Sequence, residues 1–154
     1  MKIDPKLTPA SLTSAVERCA QLAAQKALAL DKAWDSSKGT PVFTLAGRYT
    51  SRGWTEWTQG FQYGLALLAF DITDDKKLIE LGRRRTLDLM LPHVTHIGVH
   101  DHGFNNLSTY GNLLRLAKEG RFKAPEGEVR EYTQAIKASG AIQAARWQGV
   151  NVNG

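Results

Sequence analysis

Apolar residues in this chain recur mainly every three or four positions, and segments rich in glycine, proline and serine separate the regions that carry them. This spacing is typical of amphipathic helices, whereas half-buried strands alternate every second residue. Only residues 42–45 favour an extended conformation, and no pair of strands is predicted. We therefore expect an all-α chain with five helices, at about residues 9–34, 54–72, 74–90, 105–120 and 125–147.

Length and composition limit the class of protein. The chain has 154 residues, which suggests one domain or part of a larger one, and 42% apolar with 23% charged residues is ordinary for a globular protein. No apolar run is long enough to span a membrane, and no apolar stretch follows the first lysine as in a signal peptide. We expect no membrane partner.

Cys19 is the only cysteine, so an internal disulfide cannot form. Its position among alanines and leucines predicts a small buried side chain. This usage favours a reducing compartment, and we expect a cytoplasmic protein. A periplasmic location is the alternative if Met1 is not the native start.

The positive charge of the chain is modest. The net charge is +5, and Arg83-Arg84-Arg85 is the only dense basic run. Consecutive helical residues differ by about 100° around the axis, so these arginines spread over the surface and do not form one stripe. No aromatic residues lie between them, as a single-strand binder would need. We expect a solvated face and no nucleic-acid partner.

The run from His100 to Phe104, HDHGF, is the strongest candidate for a reactive site. It places Asp101 between two imidazoles in a predicted loop, where catalytic groups concentrate. An aspartate that acts as an acid near neutral pH needs a raised pKa, which burial beside aromatic surface can provide. Phe104 is close in sequence, and the second helix could bring Trp57 near. The alternative is that Asp101 caps the next helix or pairs with a neighbouring histidine.

Four histidines lie within ten residues: His93, His96, His100 and His102. Such a cluster could bind a metal, but the HxxH…HxH spacing matches no helical zinc motif with a nearby general base. We interpret the histidines as hydrogen-bonding loop residues, with His100 able to orient Asp101. We expect neither a metal nor another cofactor.

Trp54, Trp57 and Phe61 form an aromatic face on the second predicted helix. They either pack in the core or stack on the apolar face of a sugar, and the nearby Gly60 would leave room for a ligand. Arg146 and Trp147 could likewise offer a cation and a ring to an anionic sugar. Closing the end of the last helix would explain that pair equally well.

Two segments, in this order and with a predicted helix between them, resemble the unsaturated glucuronyl hydrolases and their rhamnogalacturonyl relatives, glycoside hydrolase families 88 and 105. Residues 57–65, WTQGFQYGL, resemble the W-x-x-G-F-x-x-G helix of that family, and residues 73–75, TDD, its T-G-D turn. Residues 100–104 resemble its H-D-x-G-F motif, and residues 138–147, ASGAIQAARW, its helix ending in R-Y/W. The resemblance covers roughly residues 10–150.

The resemblance implies an (α/α)6 barrel, of the six-hairpin glycosidase type, with residues 1–154 as the N-terminal part of the catalytic domain. It implies a hydrolase in polysaccharide degradation, whose substrate is an oligosaccharide that a lyase has left with an unsaturated uronic acid at the non-reducing end. The enzyme hydrates the enol-ether double bond and releases that sugar. This is general acid–base catalysis, and it needs no metal.

The resemblance also assigns roles to individual residues. Asp101 corresponds to one of two catalytic aspartates, His100 to its neighbour at the substrate, and Trp57 to a tryptophan that lines the sugar site. With them we take Phe104, Trp54, Arg146 and Trp147 as candidate substrate-binding residues. Residues 102–154 contain no aspartate that could be the second acid.

Length supports the same interpretation, since a twelve-helix ring needs about 300 residues or more. We therefore expect an inactive fragment of a larger enzyme. Two alternatives stay open: a complete small helical binding or scaffold domain without catalysis, and another α/α-toroid carbohydrate enzyme.

Overall fold

The computed structural model describes residues 4, 6–52 and 56–147, apart from the side chain of Glu56. Trp54, one of the candidate binding residues, lies outside them. The described chain is mostly helical, which confirms the all-α class. In order, its elements are α1 (Pro9–Ala33), a 3-10 turn (Ser36–Lys38), strands β1 (Phe43–Leu45) and β2 (Arg48–Thr50), a 3-10 turn (Glu56–Thr58), α2 (Gln59–Thr73), α3 (Lys76–Leu89), the one-turn α4 (Leu91–Val94), a π-helix (Gly103–Gly111), α5 (Asn112–Lys118) and α6 (Glu126–Ala145).

Helix α1 begins where the sequence predicts. Thr8 is its N-cap, with a hydroxyl that accepts from the Ser11 amide at 3.2 Å, and Pro9 follows at the first helical position. The predicted burial of Cys19 is wrong, because this side chain is exposed. The helix contacts the core through small residues, Ala20, Ala24 and Ala27. The face that packs against α2 is therefore not the one that carries Cys19.

A short antiparallel hairpin follows α1 and corrects the expectation that no strands pair. Phe43 pairs with Thr50, and Leu45 pairs with Arg48. The two loop residues, Ala46 and Gly47, both have positive φ, as a type I′ turn requires. Alanine rarely adopts this conformation, so the sequence lacks the usual Asn-Gly signal for such a turn.

Helix α2 lies at the centre of the fold and packs against α1, α3 and the π-helix. Its buried side chains include Tyr63, Leu67 and Phe70. Helix α3 begins at the Asp75 cap, whose carboxylate accepts from the Lys77 amide at 2.9 Å, and it contributes further buried residues, Leu78, Ile79 and Leu81. The cap confirms the predicted start of this helix.

The fourth predicted helix begins earlier than expected and starts with π geometry. The π-helix comprises Gly103–Gly111 and continues directly into α5, so Phe104 lies in a helix and not in a loop. Pro92 also lies inside a short helix, α4, and not at the start of a long loop. Residues 95–101 form the connection that remains. π-helices are rare and occur frequently at functional sites.

Helix α6 closes the fold by packing against the π-helix, α4 and α5. It begins after Pro125, as the sequence predicts, and buries Tyr132, Ala135 and Ser139. The predicted end at Trp147 is two residues too late, since the helix stops at Ala145. None of the described helices combines the length and the apolar character that crossing a membrane would require.

Candidate functional site

Asp101 lies two residues before the π-helix, and its side chain is only 15% exposed. Its backbone carbonyl accepts from the Asn105 amide at 3.2 Å, which ties it to the first helical turn. His102, at the N-cap position, makes no side-chain capping bond. Among the described residues, the Asp101 carboxylate has one partner, the exposed His100 imidazole, with Nε2 at 3.6 Å. The carboxylate therefore stands near the surface with little to neutralise it when His100 is uncharged.

His102 does not accompany Asp101 at the surface, which corrects its interpretation as a group beside the substrate. It is 3% exposed, with Nε2 at 2.7 Å from the His96 carbonyl and Nδ1 at 2.8 Å from the Ser139 hydroxyl. A carbonyl oxygen only accepts, so Nε2 carries the proton and Nδ1 accepts from Ser139. His102 therefore links the connection 95–101 to α6.

Asn106 extends this buried network. Its Nδ2 donates to the Ser139 hydroxyl at 3.0 Å and to the His93 carbonyl at 3.0 Å. The amide oxygen, Oδ1, is buried and has no hydrogen-bond partner among the described residues. Ser139 thus joins two residues of the motif region from a position on α6.

Asn105 forms a second branch of the network, toward α2. Its Oδ1 accepts from the Gly60 amide at 2.9 Å, and its Nδ2 donates to His93 Nδ1 at 3.0 Å. His93 Nε2 must then carry the ring proton, which it donates to the Gln59 amide oxygen at 2.7 Å. These bonds fix the π-helix against the first turn of α2.

Gly60 allows that close approach of the two helices. A Cβ at this position would lie 2.2 Å from the Phe104 carbonyl oxygen and 2.4 Å from the Asn105 Cα. Gly64 meets Ser108 in the same way, at 2.7 Å from its carbonyl oxygen. The expectation that Gly60 leaves room for a ligand is therefore wrong, because the backbone of the π-helix occupies that room.

Trp57, in the 3-10 turn before α2, forms one aromatic cluster with Phe61 and Phe104. That the second helix brings Trp57 and Phe61 close to Asp101 stays a prediction. The Phe104 ring centroid lies 5.2 Å from that of Phe61 and 5.9 Å from that of Trp57. All three side chains are exposed. In the described part of the chain these three rings are therefore not core residues, and their exposed surfaces are available to a ligand.

Arg146 and Trp147 follow the end of α6. Arg146 Nη1 donates to the Ile97 carbonyl, and Gln143 on the last turns of α6 donates to the Val99 carbonyl at 3.3 Å. These bonds fasten the connection that leads to Asp101. Trp147 is 86% exposed and contacts none of the described aromatic rings, so it does not join the aromatic cluster.

Two of the histidines that suggested a metal are committed to the hydrogen-bond network. His93 and His102 each use both ring nitrogens in it. Within residues 4, 6–52 and 56–147, no three histidine, cysteine or acidic side chains are grouped so that they could bind a metal ion.

The sequence did not predict the buried hydrogen-bond network beside Asp101, which consists of Gln59, Asn105, Asn106 and Ser139 with His93 and His102. Two adjacent asparagines within an apolar helix are a usable signal, since buried amides need partners. Ser139 offers no comparable signal, because it contacts a residue 37 positions away in the chain.

Comparisons with protein-family models, with curated proteins and with solved structures find no match to this chain.

Proposed function

We propose that these helices belong to an (α/α)6 glycoside hydrolase that removes an unsaturated uronic acid from lyase-generated oligosaccharides, with Asp101 as a catalytic acid. The proposal rests on the Asp101 carboxylate, which is largely buried and has one partner among the described residues, His100. Asp101 comes three residues before Phe104, one ring of the exposed aromatic cluster. In carbohydrate sites, rings bind the apolar faces of the sugar while a carboxylic acid transfers the proton.

In the proposed reaction the second aspartate, which residues 102–154 lack, is the main donor of a proton to one carbon of the enol-ether double bond, and Asp101 is the other catalytic acid. Water adds to the other carbon and gives up a proton, and the resulting hemiketal opens to release the sugar. The buried network supports this role by holding both sides of the motif, through Asn105 toward α2 and through Ser139 toward α6. His100, at 3.6 Å, would orient the carboxylate.

An exposed apolar stripe on α2 supports the barrel. It consists of Phe61, Leu65, Leu68 and Ile72, which are spaced by four, three and four residues and so share one side of the helix. Monomeric proteins rarely expose a continuous apolar surface of this kind, whereas a helix of a ring packs on both sides. Further helices of the barrel would cover this stripe.

The experiment follows the loss of enol-ether absorbance of an unsaturated disaccharide. We expect no turnover by the 154-residue chain, because residues 102–154 contain no second aspartate. The protein from the whole reading frame should be active, and Asp101→Asn should slow it about 10²–10⁴-fold, as expected for loss of a general acid. Glu126→Gln, an exposed carboxylate on α6, is the matched control.

Two results would contradict the proposal. Robust turnover by the 154-residue chain would rule out the inactive fragment. A normal rate for Asp101→Asn in the longer protein would rule out the assignment of Asp101.

The same stripe favours a second candidate, a helical binding module whose partner covers it. A sharp, cooperative unfolding transition of a monomer that binds no hydrophobic dye would support a complete domain. Strong dye binding or self-association would instead support the barrel fragment.

A further inference from the structure

A cavity lies between the C-terminal half of α1, residues 40–49 and the first turns of α2. Its volume is about 670 Å³. Small-molecule sites typically measure about 300–1,000 Å³ and combine apolar walls with a few polar groups. The walls here are mostly alanine, leucine, valine and aromatic side chains.

Two buried polar atoms on lining residues of this cavity have no hydrogen-bond partner among the described residues. They are Thr40 Oγ1 and Gln62 Oε1, and only Asn106 Oδ1 shares this condition in the described part of the chain. An unsatisfied buried group costs about 1–3 kcal/mol, so folds rarely keep two together. Both oxygens have almost no accessible surface, so a side-chain rotation must accompany binding before a ligand can reach either of them. The carbonyl of Gln62 requires a donor such as a hydroxyl.

Charge in the cavity favours an anion. Lys26 and Asp31 are the charged residues of the lining. Asp31 already accepts from Arg85 at 2.6 Å and from Arg84 at 3.2 Å, so its charge is compensated. Lys26 makes no ion pair with a described residue and supplies a free ammonium group.

Two rings in the lining suit a flat ligand. Tyr49 and Phe61 are both partly exposed, so they lie where the cavity meets solvent. Their faces can stack on a ring that enters between the hairpin and α2.

We propose that this cavity binds a small ring carboxylic acid that carries a hydroxyl group. The ring packs against Tyr49 and Phe61, the carboxylate pairs with Lys26, and the hydroxyl donates to Gln62. The proposal does not depend on catalysis by Asp101, since no residue of the motif 100–104 lines the cavity.

The test is an NMR titration of the 154-residue chain with three probes, read on the backbone amide signals of Phe61 and Tyr63, which line the cavity and are present in every variant. The probes are 4-hydroxybenzoate, benzoate without the hydroxyl, and phenol without the carboxylate. We expect 4-hydroxybenzoate to bind about five- to tenfold more tightly than either of the others, as for the loss of one polar contact. Equal affinity for all three, or no saturable shift, would overturn the proposal.

Variants locate the contacts. Lys26→Gln and Gln62→Leu should each weaken 4-hydroxybenzoate about five- to tenfold. Lys32→Gln on the same helix and Gln134→Leu on α6 are exposed controls outside the cavity and should not change it. If Gln62→Leu unfolds the protein, the affinity of Lys26→Gln for 4-hydroxybenzoate is the deciding measurement, because Lys26 is exposed and its replacement should leave the fold intact. Unchanged affinity in Lys26→Gln would overturn the assignment of the carboxylate.

Discussion

The two sides of α2 differ in burial although both are apolar. Leu67 is completely buried between α2 and α3, whereas the adjacent Leu68 is 48% exposed. Helices that are apolar on all sides normally lie within larger cores. One side of α2 therefore accounts for the fold that is described, and the other side is free for a ligand or for further helices.

The π-helix shows the same contrast over three residues. Phe104 is exposed, while Asn105 and Asn106 are buried, which reverses the usual preference of rings for the interior and amides for water. The amides can be inside because Gly60, His93 and Ser139 bond to their polar atoms, apart from Asn106 Oδ1, which has no partner among the described residues. Their bonds hold the ring of Phe104 outward.

The largest expected effect comes from adding a Cβ at the point where α2 contacts the π-helix. Gly60→Ala should destabilise the chain by about 3 kcal/mol or more, because its Cβ would meet the backbone at Phe104. Gly140→Ala in α6, where a Cβ meets nothing within 4 Å, should be stabilising by about 0.5–1 kcal/mol. Urea unfolding measures both. Equal stability of the two variants would contradict the close approach.

The two leucines of α2 test the contrast directly. Leu67→Ala should cost about 2–5 kcal/mol, as for a buried leucine that leaves a cavity. Leu68→Ala should cost about 1 kcal/mol or less, since half of its surface is already in water. The free energies of unfolding of the two variants decide, and a larger loss for Leu68→Ala would reverse the assignment of the sides.

Ser139→Ala should cost about 1–3 kcal/mol, because the buried His102 and Asn106 each lose a partner. Imidazole nitrogen NMR of His102 should show a protonated Nε2 and an unprotonated Nδ1, and the variant should shift the Nδ1 signal. Ser14→Ala on the exposed surface of α1 is the control and should change stability little. An unmoved His102 signal would contradict the network.

The smallest effect is a pH dependence at the α3–α6 contact. The hydrogen bond from Arg83 lowers the pKa of Glu128, so this carboxylate stabilises the fold above its unfolded pKa and loses that contribution as the pH falls through its folded value. Glu128→Gln should cost about 1 kcal/mol near neutral pH and less in acid. Unfolding at several pH values measures this difference. A constant difference would contradict it, and the exposed Glu126→Gln is the control.

Local signals in the sequence predicted the starts of α1 and α3, whereas α2 begins at Gln59, five residues after its predicted start. The Thr8 and Asp75 caps are confirmed because each depends on residues within one turn. The Ala46-Gly47 turn and the π-helix were missed, since neither has a distinctive local pattern. Cys19 was misplaced because an alanine-rich helix offers several equivalent faces, and only the position of α2 selects among them.

In the candidate site, too, some features could be predicted from local sequence and others could not. That Trp57 and Phe61 lie together could be predicted from helical spacing, and their ring centroids are 6.5 Å apart. The direction of His102 could not, because the Ser139 that holds it belongs to another helix. Motif spacing thus predicted which groups lie together, while long-range packing determined which of them face inward.

The most direct test of this account is to map where an unsaturated uronyl disaccharide contacts the chain, by backbone amide NMR. We predict saturable shifts at Trp57, Phe61, Asp101 and Phe104, none at the buried Leu67, and weaker shifts with the saturated disaccharide. Shifts distributed over both sides of α2, or no saturable shift, would contradict the claim that its exposed side and Asp101 form a sugar site.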